Sequence, residues 1–238
     1  MMINKLKQIY GKLQHSDNIL IAPFFNPFYI SRYDINKVLK SIKCNNNEKI
    51  LDIGCGNKPY LKYFSGYHIY HGLEISTNTN NKADFFYDGK EFPFKDSSYT
   101  KILCTQVIEH VPNPNLFLKE IYRILSKNGE LIITVPFIWD EHEIPFDFQR
   151  FTSFGIKKLL KDHKFSVLSY QKLSKGVTGL IQLIINFIYK KIYKSRIILL
   201  LINFTFFSLL TYFAILLKFT SYKKDNDFYL DNFIIAKK

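Results

Sequence analysis

The chain has 238 residues, with 33 Lys and Arg against 20 Asp and Glu for a formal charge of +13. That length suffices for one α/β domain with a sizeable core and an appendage. The basic residues are spread along the chain, no nucleic-acid module appears among them, and Lys, Asn, Ile, Phe and Tyr are over-used together. The charge therefore reads as compositional drift and argues against a nucleic-acid partner. Cys44, Cys55 and Cys104 form no Cys-x-x-Cys pair and are odd in number, which excludes a disulfide framework and fits reduced thiols in the cytoplasm.

Residues 1–48 are expected to form a helical lead-in, with Ile35, Val38, Leu39 and Ile42 at helical spacing for packing on a sheet. The start is basic, but Asn18–Ile30 is broken by Pro23 and Pro27 and lacks a small-residue cleavage site, which speaks against a signal peptide. The run Pro23-Phe24-Phe25-Asn26-Pro27-Phe28-Tyr29 suits a lid over a ligand or a wedge at a sheet edge, with the wedge preferred.

Strand and helix patterns then alternate as in a doubly wound sheet. Strands are predicted at 49–54, 68–74, 83–87, 101–105 and 130–136, with a sixth at Phe165–Leu173 and a last at Phe228–Lys237. Helices are predicted over Pro114–Leu125 and from Phe154 to Leu160, the first stopped by a left-handed Asn128-Gly129.

Between the sixth and seventh strands the pattern changes. Gly179–Tyr193 is apolar, Lys190, Lys191, Lys194 and Arg196 follow or close it, and Ile197–Leu217 is 21 positions without a charge. That run is long enough to cross a bilayer, which takes about 20 residues. A single crossing would strand the last β-segment on the far side of the membrane from its sheet, so a helical hairpin is expected. A monotopic hairpin is preferred to two spans or a hydrophobic dimer interface. The expected organisation is 1–48 lead-in, 49–175 core, 176–220 hairpin and 221–238 closing strand.

The stretch Ile50-Leu51-Asp52-Ile53-Gly54-Cys55-Gly56 is a buried strand running into a glycine turn. Glu74 ends the second strand, 20 positions after Gly54, where an acidic residue takes ribose hydroxyls in nucleotide-binding α/β folds. Dinucleotide binding would want a third glycine for close helix–strand packing, and Pro59 stands there.

Together with Gly-Leu-Glu (72–74), Asp-Gly-Lys-Glu-Phe-Pro-Phe (88–94), Gln-Val-Ile-Glu-His-Val (106–111) and Glu-Ile-Tyr-Arg-Ile-Leu (120–125), this stretch resembles class I S-adenosylmethionine (SAM)-dependent methyltransferases of the type 11 domain family. The pieces occur in family order over about residues 45–170. The resemblance implies a seven-stranded sheet of order 3-2-1-4-5-7-6, its last strand antiparallel. It implies SAM as cofactor, held by Asp52, Gly54, Cys55 and Gly56 at its amino-acid part and by Glu74 at the ribose. Asp88 and Gly89 would lie at the adenine, and Gln106 near the methionine portion. The chain departs from the family where Thr100 replaces an Asp, Lys58 a turn glycine, and Lys127-Asn128-Gly129 a Pro-Gly-Gly turn.

Methyl transfer needs alignment of donor and acceptor, and a base where the acceptor must lose a proton. Glu109-His110 looks like a catalytic pair, but the resemblance implies a helix start that steadies its loop, and that role is preferred to direct catalysis. The stronger acceptor-side candidates follow the fifth strand, where ligands bind in open α/β sheets. His142 is the expected general base, imidazole being the side chain suited to proton transfer near neutrality, with Asp147 orienting it and Arg150 holding an anionic substrate group. An alternative makes Asp147–Arg150 a loop staple. No metal is expected; Phe146 stands where the second His of a zinc-protease motif would be. The expected acceptor is amphiphilic or lipid-linked, first a hydroxyl of a glycan precursor and second a lipid quinone, at the inner face of the cell membrane, with a homodimer possible. The alternative from another class is a membrane-associated SAM-binding scaffold without catalysis.

Overall fold

A computed structural model describes residues 18–43, 45, 47–64, 69–78, 82–220 and 227–238. Expectations that fall on residues 1–17, 44, 46, 65–68, 79–81 and 221–226 lie outside the described residues. Seven strands form one sheet of order 3-2-1-4-5-7-6: β1 (Lys49–Ile53), β2 (Ile69–Ile75), β3 (Phe85–Tyr87), β4 (Tyr99–Thr105), β5 (Leu125–Pro136), β6 (Ser166–Lys175) and β7 (Tyr229–Lys237). β1 pairs in parallel with β2 and β4, β2 with β3 and β4 with β5, while β7 runs antiparallel to β5. Ile53 stands level with Leu73 and Cys104, so the loops leaving β1, β2 and β4 emerge together at one edge.

Helix α1 (Tyr29–Lys40) precedes the first strand, and α2 (Pro114–Ile124) and α3 (Ser153–Asp162) alternate with the strands. Asn113 caps α2 by accepting the Leu116 N–H, and Thr152 caps α3 by accepting the Gly155 N–H. α2 ends at Ile124, one residue earlier than its pattern suggests. Asn128 is left-handed, at φ 66°. It sits in a bulge of β5, where the register jumps from Tyr99 opposite Leu125 to Lys101 opposite Glu130.

The chain divides into two compact units. The larger, Val38–Lys172 with Asp231–Lys238, has a core of strand residues such as Leu51, Ile53, Ile102 and Ile133 and of Leu118, Ile121, Ile156 and Leu160 from α2 and α3. Lys101 is buried in it, which a lysine tolerates only when paired. Its Nζ meets Glu130 at 2.9 Å, Glu48 at 3.4 Å and the Lys43 carbonyl at 3.0 Å. Thr100, where the family carries Asp, exchanges hydrogen bonds with the Lys49 backbone through its hydroxyl.

The smaller unit comprises residues up to Lys37 with Leu173–Leu230. It holds α4 (Gly176–Ile192) and a second helical run of α5 (Arg196–Ile202), a π turn (Asn203–Phe207) and α6 (Ser208–Thr220). The helical insertion between β6 and β7 is therefore present. Ile30, Ile181, Ile185, Phe207 and Ala214 form its core. The aromatic run 23–29 belongs here. Phe24 and Phe25 lie 5.5 and 5.2 Å from Phe204, and Phe28 lies 4.9 Å from Tyr189. The Asn203 and Gln182 amides donate to the carbonyls of Phe24 and Pro27. The run thus packs as a cover on the helical insertion, a place that neither the preferred reading as a sheet-edge wedge nor the alternative of a lid names. Its rings pair with rings on the hairpin, a partner that the spacing within 23–29 does not encode.

Candidate active site

Gly54 and Gly56 both have positive φ, +67° and +48°, as the turn after β1 requires. They differ in what surrounds them. A Cβ on Gly54 would stand 2.4 Å from Val107 Cγ2, whereas one on Gly56 would meet nothing within 4 Å. Gly54 therefore admits Val107 of the loop after β4, and Gly56 is the glycine that leaves open space. The Gly56 N–H donates to Glu74 Oε2 at 3.0 Å, and Glu74 Oε1 accepts the Ile75 N–H at 3.1 Å.

Lys58 occupies the left-handed region at φ 54°, which explains why a glycine is usual there. Its ammonium pairs with Asp84 at 2.5 Å, and Asp84 also accepts the Gly72 N–H at 2.7 Å. Burial works against the Asp84 charge, but Lys58 and that N–H hold its carboxyl below the ordinary range. Gly72 lets the loop lie flat on β2, since a Cβ there would come within 2.5 Å of Cys55 Sγ and 2.6 Å of Lys58 Cε.

Asp52 is buried beneath the loop and accepts the Tyr70 hydroxyl at 2.6 Å. Burial pushes its carboxyl up to about 7, and burial likewise raises the Cys55 thiol to about 12, so Cys55 is no nucleophile. Asp88 is exposed and turns its Oδ1 to the Lys90 and Glu91 N–H groups, which lower its pKa; Gly89 follows at φ +87°. Gln106, left-handed at φ 56°, donates its amide to Asp231 at 3.1 Å and Thr134 at 3.3 Å.

After β5, Asp147 accepts both Nη atoms of Arg150 at 2.6 Å and the His142 N–H at 3.0 Å. Arg150 drives the Asp147 carboxyl well below its ordinary range. Arg150 also donates to the carbonyls of Trp139, Asp140 and Gln149. His142 Nδ1 faces the Asp140 carbonyl at 3.2 Å and Asp147 Oδ2 at 3.3 Å. The three residues singled out in the sequence thus meet, with Arg150 engaged as the staple of its own loop.

Sequence reasoning missed that Glu109 and His110 are their neighbours. Glu109 and His110 lie in a 3-10 turn after β4 (Ile108–His110), and the His110 ring stands 4.7 Å from that of His142. Phe148 N–H donates to the Glu109 carbonyl, tying the two loops. Glu109 is fully buried, which pushes its carboxyl up to about 8. The signal was present in the Glu109-His110 pair, but nothing in the sequence links it to a loop 32 positions on.

The methyltransferase domain family matches residues 30–170. The chain is 26% identical over 200 residues to phosphoethanolamine N-methyltransferase of Plasmodium falciparum, covering 74% of this chain and 71% of that one. It is 30% identical over 120 residues to tRNA U34 carboxymethyltransferase of Nautilia profundicola, covering 41% and 37%. It spans 47% and 63% of two uncharacterised proteins of Methanocaldococcus jannaschii, so it accounts for only part of several relatives it matches. Among solved structures, phosphoethanolamine N-methyltransferase 2 of Haemonchus contortus, in complex with phosphomonomethylethanolamine and S-adenosylhomocysteine, superposes with TM-score 0.56 at 17% identity, over 91% of this chain and 55% of that one. The chain belongs to the methyltransferase domain family, and its fold is that of the class I SAM-dependent methyltransferases.

Proposed function

We propose that the protein transfers a methyl group from SAM to a hydroxyl of an amphiphilic or lipid-linked acceptor. The observation that carries the cofactor half is the Gly56–Glu74 pair: a loop N–H fixed by a carboxylate, beside a glycine whose absent side chain leaves open space. Glu74 uses one acceptor site on each oxygen for the protein, and a carboxylate has about four, so it retains capacity for two ribose hydroxyls. The loop of Asp52, Gly54, Cys55 and Gly56 would hold the amino-acid part, Asp88 and Gly89 the adenine, and Gln106 the methionine portion. When bound, SAM supplies a methyl group on a sulfonium, which a positioned nucleophile displaces.

His142 serves the acceptor side. Asp140 and Asp147 face its Nδ1 with oxygen acceptors, so the ring carries its proton there and its Nε2 lone pair is available to the acceptor's hydroxyl proton. Asp147 orients the ring. Arg150 positions Asp147, and its charge would favour an anionic group on the acceptor, although its N–H groups are engaged in its own loop.

The helical run Ile197–Lys218 has 22 residues and holds an 18-residue stretch of mean hydropathy 2.1, 28% of it buried. Ile197, Leu201, Leu209, Phe213 and Leu216 are all exposed, an apolar surface of the kind that binds membranes or partners. With the basic cluster from Lys190 to Arg196, this supports monotopic attachment to an anionic, cytoplasmic membrane face, each Lys or Arg adding about 1 kcal/mol. The likeness to the Plasmodium enzyme favours a second reading, in which the acceptor is a phosphoethanolamine-type amine. Incubating the protein with methyl-labelled SAM and membrane lipid extract tests both: label in a neutral or glycan-bearing lipid supports the first, label in an amine headgroup the second, and none contradicts the proposal.

A further inference from the structure

Glu109 presents an unusual problem inside the larger unit. It is 0% exposed, and neither carboxylate oxygen has a hydrogen-bond partner among the described residues. A buried carboxyl left so is costly, and native proteins resolve such groups with a partner, a water or an ion. Asp231, Asp147 and Arg150 act on it by charge, and two imidazoles lie near it. His110 Nε2 lies 3.9 Å from Glu109 Oε1, and one ligand atom each from Glu109, His110 and His142 all lie within 4.8 Å of one another.

The two rings are prepared in the same way. His110 Nδ1 is 2.8 Å from the Phe146 carbonyl, an acceptor only, so Nδ1 carries the proton and Nε2 a lone pair. His142 Nδ1 faces the Asp140 carbonyl and Asp147 carboxylate, with one donor, Arg150 Nη2, farther off at 3.5 Å. Imidazoles that ligate metals are held in this way, with the second nitrogen donating to a carbonyl or carboxylate.

We infer that Glu109, His110 and His142 bind one divalent metal ion of the zinc class. Two imidazoles and one carboxylate suit Zn2+ or Co2+ better than Mg2+, which prefers oxygen ligands and water. Ligand distances of about 2.0–2.2 Å require each side chain to draw in by under about 1 Å. Three protein ligands leave a tetrahedral ion one open position, and the acceptor's oxygen takes it. There the ion lowers the acidity barrier of the hydroxyl, and the proton leaves to solvent water. The oxygen then forms its bond to the methyl carbon as the carbon–sulfur bond breaks and its electron pair returns to sulfur. In the loaded protein the His142 lone pair thus acts through the ion instead of directly on the proton. This inference rests on the methyl-transfer reading for what the ion does, and not for whether it binds.

The test is titration of the chelator-treated full chain with Co2+, followed by visible absorption and by competition with Zn2+. One Co2+ per chain with ligand-field bands is expected. Glu109→Gln, His110→Ala and His142→Ala should each weaken it at least tenfold and Asp147→Asn by about tenfold, while SAM affinity stays within threefold. If Glu109→Gln loses SAM binding through misfolding, His142→Ala on the half-buried loop decides. No saturable Co2+ or Zn2+ binding, or binding that His142→Ala leaves unchanged, overturns the inference. Metal binding without SAM binding would leave it standing and remove the methyltransferase reading instead.

Discussion

Glu74 Oε2 accepts the Gly56 N–H at 3.0 Å, so the residue read as a ribose ligand is also the clamp on the loop that would hold the rest of the cofactor. Removing the carboxylate should act twice. Glu74→Ala leaves a loop N–H without its partner, at about 1–2 kcal/mol of stability, and takes away the ribose acceptors. SAM affinity should fall at least tenfold, more than the melting temperature alone would explain, as calorimetric titration and thermal melts of the same samples would reveal.

The two loop glycines should respond differently. Gly54→Ala forces a Cβ to within 2.4 Å of Val107, so it should destabilise the fold by about 1–3 kcal/mol, and Val107→Ala should recover part of that loss. Gly56→Val meets no protein atom in its Cβ direction and should cost only the strain of a left-handed side chain, about 1–2 kcal/mol. It should nevertheless reduce SAM affinity more than Gly54→Ala does. Equal effects on stability and affinity at both sites would contradict this division.

Asp52 makes stability depend on pH. Its carboxyl is raised from an unfolded value of 3.8 to about 7, chiefly by burial. The folded protein therefore binds a proton that the unfolded chain releases between these values. The stability from this group is full below about pH 4 and is lost as pH rises through about 7. Asp52→Asn should remove that loss, at most a few kcal/mol because each pKa unit is about 1.4 kcal/mol. Denaturant melts of both proteins from pH 4 to 8 should converge at the acid end and separate toward the alkaline end. Parallel curves would contradict the assignment.

The hydrophobic run should bind anionic vesicles and release partly in high salt. Leu209→Glu and Phe213→Glu, at positions 68% and 52% exposed, should weaken flotation with such vesicles severalfold with little change in melting temperature. A protein that ignores vesicles and forms a dimer that these changes dissolve would replace the membrane reading with a subunit interface.

The order of the strands was legible only through the resemblance to class I methyltransferases, since strand–helix alternation alone does not order a sheet. The strands themselves were legible because they are short apolar runs alternating with helical patterns. The Gly54–Gly56 turn and Glu74 were legible for the same local reason. What the sequence hid are contacts between distant segments. The pairing of Lys58 with Asp84, the seat that Gly72 provides for Cys55, the burial of Lys101, and the meeting of Glu109-His110 with His142 each join segments more than ten positions apart. The run 23–29 was misplaced for that reason too, since its partners Phe204 and Tyr189 lie over 150 positions away.

For the acceptor side, His142→Ala should lower turnover at least a hundredfold while SAM affinity changes less than threefold. The central claim, that the loop after β1 with Glu74 is a SAM site, is tested most directly by isothermal titration of the full chain with SAM, S-adenosylhomocysteine and NAD in parallel. We predict saturable one-to-one binding of SAM and S-adenosylhomocysteine, abolished by Gly56→Val, with no binding of NAD. Saturable binding of NAD and none of SAM would contradict it.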